Sequence, residues 1–449
     1  MGRSYYVDET VEKYLKALQQ NKSFVTGLLI GQCSLQRDYV VLAVQTPQKE
    51  DQQKVAEQKD SSQKFNEIDE EWFCIHAKQV SRMLPGGLLL IGVFIVTPPD
   101  LSKESPNVLR KLIFAAEKFG MRSRCWNYTE EDVMDRVALQ ICSTTKKILC
   151  RTYDVKDPKS TAKPADWKYQ STPLSWLTID CSINVDLNVQ LPSSATYKER
   201  QTSTRNALAQ WTKDVEASTI LFNGQLKDID GELMDEQKKS KSSAHSSSQI
   251  VSVTVLTSSD ICNRSTARVQ VSKSSLNIQG IVKCRGYICN NKPKVREALQ
   301  VIKRDILNTV SDRCEVLFED IILNGPHQGS EKALCPLPRR VLVPLLGSNA
   351  KLCDYVFGDE TKEDLENRFL EMLDQEIQYG DLEFLEEKNI TVNEKEQQAC
   401  ESHYLSSGET CAVKKEISSS HLHHSAGFAI AVVVILLAIL ISFIYLKEE

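Results

Sequence analysis

The chain has 449 residues, of which 41% are hydrophobic and 26% charged, with a formal net charge of -5 at pH 7. That is a globular body long enough for two domains plus linkers. The acidic balance and the lack of a dense Lys/Arg cluster exclude a nucleic-acid-binding protein.

In chain order, Asp8 is placed to cap a helix carrying Val11, Tyr14, Leu15 and Leu18 on one face. Two strands, Phe24 to Gly31 and Asp38 to Thr46, then read as a hairpin. The stretch 48–68 is mostly Lys, Glu, Gln, Asp and Ser and reads as an inserted loop. A helix with Trp72, Ile75, His76, Gln79, Val80 and Met83 follows and is stopped by Pro85, Gly86 and Gly87. Leu88 to Val96 is a buried strand, and Val108 to Phe119 repeats the helical pattern. Thr129 and Asp132 have capping-box spacing and predict a short helix before two strands, Val137 to Ser143 and Lys146 to Val155. Hairpins mixed with helices predict an α/β domain, an α+β mixed sheet, over residues 1–160.

Residues 161–233 are expected to continue it as a connecting β-α segment. Lys156 to Thr172 looks like a connection, and from Leu177 to Leu191 apolar residues alternate with polar ones, one long strand or two in succession. A helix from Tyr197 to Val215 and a strand at Thr219 to Phe222 complete the segment, and the serine-rich stretch 234–248 reads as a disordered linker. A second α/β domain is expected over 249–379. Its strands are Gln249 to Thr257, Ala267 to Val271 and Leu276 to Ile288. A helix after Pro293 turns Val295, Ile302 and Ile306 inward, and Lys294, Arg296, Lys303 and Arg304 outward as a solvated face. Strands at Arg340 to Leu346 and Leu352 to Phe357 and an acidic helix, Lys362 to Tyr379, close the domain. Residues 380–424 read as a flexible tether.

Ala426 to Leu446 runs without a charged residue and is followed only by Lys447, Glu448 and Glu449. At ~1.5 Å per residue such a helix matches the hydrocarbon thickness of a bilayer, so a single transmembrane helix is predicted. Met1 onward is polar, and the first apolar run, Phe24 to Ile30, is too short and too interior for a secretory signal. Tyr6 replaces the Ser/Thr of a myristoylation pattern. The span is therefore expected to insert after synthesis, leaving the body in the cytosol; Lys414 and Lys415 before it, against Lys447 after it, lean the same way. The 14 cysteines show no repeated spacing and read as buried thiols, and the acceptor tripeptides at Asn21, Asn127, Asn263 and Asn389 read as chance matches.

Chemistry is sparsely signalled. His421, His423 and His424 lie in the tether, where a metal site lacks a rigid frame. His76, His245 and His327 do not stand in any recognisable relation to a nucleophile, and neither GxxxxGK[ST] nor GxGxxG occurs. No cofactor and no metal is expected.

From Met83 to Pro98 the sequence MLPGGLLLIGVFIVTP resembles the MPN fold of JAMM-type isopeptidases, whose strand ends in two zinc-binding histidines. Gly92 and Pro98 match that motif, but Ile95 and Thr97 stand where the histidines belong, which implies an MPN-like domain without metal ligands. Over a longer range the chain resembles the family of odorant-response-abnormal protein four homologues. The resemblance is carried by Phe24 to Cys33, Gln79 to Gly87, Cys150 to Asp154, Lys163 to Gln170, Asn291 to Lys294 and Lys303 to Thr309. It implies a non-enzymatic endoplasmic-reticulum adaptor, body facing the cytosol. Such an adaptor recruits a ubiquitin-fold-modifier-specific cysteine protease and supports the folding and trafficking of a subset of G-protein-coupled receptors. The competing readings are an active isopeptidase or hydrolase with an unrecognised site, and a direct receptor chaperone.

Overall fold

Two sheets, joined at one point by backbone hydrogen bonds, carry most of the chain. The computed structural model describes residues 2–20, 24–34, 37–49, 68–122, 124–171, 174–191, 197–234, 250–257, 274–289, 292–324, 335–377, 379–385 and 391–396.

The first sheet opens with β1 (Ser4–Asp8), and Asp8 also accepts the Thr10 N–H to start α1 (Glu9–Leu18). There follow β2 (Val25–Gln32), β3 (Asp38–Gln45), α2 (Glu70–Arg82), β4 (Leu89–Thr97), α3 (Ser105–Met121), β5 (Asp135–Cys142), β6 (Ile148–Asp154), β7 (Lys163–Pro164) and β8 (Asp166–Gln170). These eight strands run in the order β7-β6-β5-β4-β2-β3-β1-β8. The pairs β4/β5, β1/β3 and β1/β8 are parallel and the rest antiparallel, so the sheet is mixed as expected. α1 seals one face over Tyr5, Val7 and Phe94, and α2 and α3 cover the other over Leu28, Val93 and Ile95. Because β4 is buried on both faces, its sequence is an unbroken apolar run.

The second unit begins with β9 (Leu177–Leu191), α4 (Tyr197–Glu216), β10 (Thr219–Phe222), β11 (Ile250–Leu256), β12 (Ser274–Ile288) and α5 (Val295–Asn324). The alternating stretch 177–191 is one 15-residue strand, paired along its whole length with β12. Ile179, Ile183 and Val185 face Ile302, Ile306 and Val310 of α5 and Leu208 and Trp211 of α4. The last elements are β13 (Cys335–Pro336), β14 (Arg339–Pro344), β15 (Lys351–Val356), α6 (Lys362–Leu373), β16 (Glu383–Phe384) and β17 (Thr391–Glu396). β15-β14-β16 form a small sheet, while β17 and β13 extend the second sheet in the order β10-β11-β9-β12-β17-β13.

Several expectations change. Strands on both sides of 234–248 share the second sheet, β9 and β10 before it and β11 and β12 after it, while 163–170 of the expected connecting segment supply β7 and β8 to the first sheet; the expected domain 249–379 is thus divided. Its remainder packs back on the first sheet: Val341, Val343, Leu352 and Phe369 share a core with Val80 and Ile95. β1, β7 and β8 are strands where none was expected. Thr129 and Asp132 build a hydrogen-bonded turn and not a helix, and Asp132 also accepts from Arg304. α6 ends at Leu373, where Asp374 adopts a left-handed conformation (φ 51). The expected tether contributes β16 and β17. Residues 50–67 of the loop, 235–248 of the linker, Ala267 to Val271, and 397–449 with the span Ala426 to Leu446 lie outside the described residues. Among the described residues no helix is long and apolar enough to cross a membrane.

Candidate functional site

The motif positions on β4 occupy the middle of the first sheet. Gly92 is opposite Leu29 on one side and Val137 on the other. A Cβ there would stand 2.3 Å from the Val137 carbonyl oxygen, so glycine is required by close strand approach and not by any ligand. Ile95 is 0% exposed and packed in the apolar core under α2 and α3. Thr97 is equally buried; its carbonyl accepts the Ser143 N–H (2.9 Å), and its hydroxyl is without a hydrogen-bond partner. Pro98 leads into a short 3-10 turn, Pro99–Leu101. These four residues are brought together as a strand end, with aliphatic and hydroxyl groups where a metal would need imidazoles.

His76 lies on the buried side of α2, its Nε2 at 2.9 Å from the Met372 carbonyl of α6. Burial pushes its pKa down to about 4, only partly opposed by that carbonyl, so the ring is neutral at physiological pH. His245, His327, His421, His423 and His424 lie outside the described residues. Among the described residues no three His, Cys, Asp or Glu side chains are grouped to hold a metal ion. The cysteines described are free thiols, six of them buried, in keeping with their reading as small apolar residues.

The densest polar constellation is one that sequence reasoning missed. Asp305 of α5 is 1% exposed. Its Oδ1 accepts from the Gly86 N–H (2.8 Å) and Arg340 Nη2 (2.8 Å), and its Oδ2 from the Arg285 N–H (2.8 Å) and Arg340 Nη1 (2.8 Å). Gly86 also pairs with β12 through its own carbonyl, which accepts the Tyr287 N–H at 2.8 Å. Gln32 completes the junction: its Nε2 donates to the carbonyls of Gly87 (3.0 Å) and Tyr287 (2.9 Å), and its Oε1 accepts the Cys289 N–H (2.7 Å). Pro85 to Gly87, expected only to stop a helix and start a strand, thus clasps the two sheets. A carboxylate with four donors, two of them from one bidentate guanidinium, has no lone pair left for acid-base chemistry. The signal available in the sequence was an Asp on the same face of α5 as Ile302 and Ile306.

Several other charged groups are also paired within the chain. Arg82 pairs with Glu315 and Glu319 (both 2.7 Å), and Arg124 with the buried Asp312 (3.3 Å), whose pKa burial raises. The basic side of α5, expected to be a solvated face, is instead a set of ties. Arg304 stacks over Trp126 (4.1 Å to the ring centroid) and binds Asp132 (2.6 Å), Lys303 donates to the Glu216 carbonyl (2.5 Å), and Arg296 pairs with Glu131 and Asp230. Beneath the loop 124–128 lies a cavity of about 70 Å³, where Arg136 Nε donates to Glu117 (3.0 Å), and Tyr128 lies between the two. It is far below the several hundred Å³ of an ordinary substrate site.

Comparison with known proteins is extensive along the chain. The family model described as "Odorant response abnormal 4-like" matches residues 27–384. A protein odr-4 homolog of Xenopus tropicalis is 56% identical, covering 99% of this chain and 100% of its own. One from Homo sapiens is 51% identical over 87% of each chain. Among solved structures, a crystal structure of UfSP from C. elegans aligns with 84% of this chain and 58% of its own at 8% identity and a TM-score of 0.44, too low to transfer a fold or an activity.

Proposed function

The chain belongs to the odorant response abnormal 4-like family, and from that premise we propose that it is a non-enzymatic, tail-anchored adaptor of the endoplasmic-reticulum membrane. Its body faces the cytosol and recruits a ubiquitin-fold-modifier-specific cysteine protease to the membrane. Through that recruitment it supports the folding and trafficking of a subset of G-protein-coupled receptors. Ala426 to Leu446 is the anchor in this reading.

The observation that carries the non-enzymatic part is the burial of Ile95 and Thr97 at the end of β4. An aliphatic side chain inside an apolar core offers no ligand, and bringing imidazoles to the surface there would require rebuilding the strand end. The ionic clusters support the same reading, since Asp305 with Arg340, Arg82 with Glu315 and Glu319, and Arg124 with Asp312 are paired within the chain. Such a body acts through its surfaces and its position.

The test is affinity purification of the full chain from detergent-solubilised membranes. The expected result is co-elution of the protease, with no chelator-sensitive cleavage of modifier-linked substrates by the chain itself. Stoichiometric metal with chelator-sensitive turnover would overturn the adaptor reading in favour of an isopeptidase.

A further inference from the structure

α3 buries Leu109, Leu112, Ile113 and Ala116 and turns a basic stripe outward. Lys111, Lys118 and the capping Arg122 are exposed, and their spacing of seven and four residues sets them on one helical face. The helix's carboxylate, Glu117, points inward to Arg136 and Tyr128 and does not neutralise them. Lys111 does meet Glu70, which also lines the groove, at 2.6 Å, but Lys111 itself is well exposed, where such a pair contributes little. Arg110 lies over Phe114 and donates to the carbonyls of Pro158 and Ser160, flooring a shallow open groove of about 520 Å³ between these cations. Arg205 of α4 donates to the Arg122 carbonyl, so the stripe continues onto a second helix. Lys111, Lys118 and Arg122 of this stripe reach solvent.

The place where the chain leaves the described structure is the second observation. Glu396, the last residue of β17, is opposite Ser274, and Ser274 is opposite Leu191. α4 starts at Tyr197, only a few residues beyond Leu191, and Arg205 lies about 12 Å along it. The exit toward Ala426 and the chain's approach to α4 therefore both lie beyond the Leu191 end of the long β9/β12 pair. The 29 residues from 397 to 425 reach at most about 100 Å, whatever their conformation.

We propose that the α3–α4 stripe is a membrane-facing surface that rests on anionic lipid headgroups and orients the body on the bilayer. The proposal depends on the reading of Ala426 to Leu446 as an anchor, since it is the anchor that brings the stripe within range. Attraction between juxtamembrane cations and an anionic leaflet acts within about a Debye length, roughly 8–10 Å. A chain of net charge -5 is repelled overall by such a leaflet, so a basic face selects one orientation.

The experiment places the full chain with vesicles of pure phosphatidylcholine, or with vesicles carrying about 30% phosphatidylserine. Lysine acylation by a water-soluble reagent is followed by mass spectrometry, and insertion is scored separately by resistance to alkaline extraction. The expected result is that Lys111 and Lys118 are acylated about fivefold more slowly on the anionic vesicles than on the neutral ones. Reactivity returns in about 0.5 M salt, while Lys13, on the helix across the first sheet, is unchanged. Equal acylation of Lys111 and Lys118 on both vesicles, in a chain that resists extraction, would overturn the membrane-facing surface and leave the anchor standing. A chain that is extracted would overturn the anchor reading and, with it, the surface proposal that rests on it. Protection by a soluble polyglutamate peptide but not by anionic vesicles would overturn the lipid assignment in favour of an acidic protein partner.

Discussion

At the scale of single residues, Asp305 and Arg340 are the pair on which the fold is most exposed to damage. Both are 1% exposed, and each holds the other's charge in a low-dielectric site. Asp305→Ala leaves a buried guanidinium without its counter-ion and is expected to destabilise the chain by about 3–5 kcal/mol, measured by denaturant unfolding. Replacing both with apolar residues of similar size is expected to cost less than the two single changes together. His76 supplies a pH dependence with a definite sign. Its folded pKa, about 4, lies below the ordinary 6.5, so the unfolded chain takes up the proton first. Stability from this group is complete above pH 6.5 and is lost as pH falls toward 4, by about 3 kcal/mol in all. Unfolding midpoints between pH 7.5 and 4.5 check it, and His76→Gln is expected to flatten that part of the slope.

Among elements, the Pro85–Gly87 turn couples the two sheets. A Cβ on Gly86 would come within 2.5 Å of the Val301 carbonyl oxygen of α5, a backbone atom that cannot rotate away. Gly86→Ala is expected to cost about 1–3 kcal/mol. Hydrogen exchange should accelerate at the Arg285, Tyr287 and Cys289 amides, while the centre of β2 changes little. This junction was not legible in the sequence, because its partners at 32, 86, 285, 305 and 340 are related only by the fold. Strand β9 and helices α1 to α5 were legible, since their apolar periods of 2 and 3.6 are local. The short β1 and β8 escaped for the opposite reason. SYYVD and DWKYQ bring Tyr5, Val7, Trp167 and Tyr169 to alternate positions, but only the long-range parallel pairing between the two segments makes strands of them. For the candidate site, the side chains of Ile95 and Thr97 were readable directly as poor metal ligands, whereas the way the charged clusters are paired depends on tertiary contacts.

For the whole molecule, the proposed adaptor role makes position and surface the means of action. The anchor and the adaptor role then make one claim: the protease is at the membrane because this chain is. Truncating the chain after Gly380 removes β17 and with it one strand of the second sheet, so a clean test must spare residues up to 425. Deleting only Gly427 to Leu446 and fractionating cells into membrane and soluble pools tests the claim most directly. The account predicts that the truncated chain and the ubiquitin-fold-modifier-specific protease move together into the soluble pool. A protease that stays on the membrane while the truncated chain leaves it, or a truncated chain that itself stays, would contradict the account.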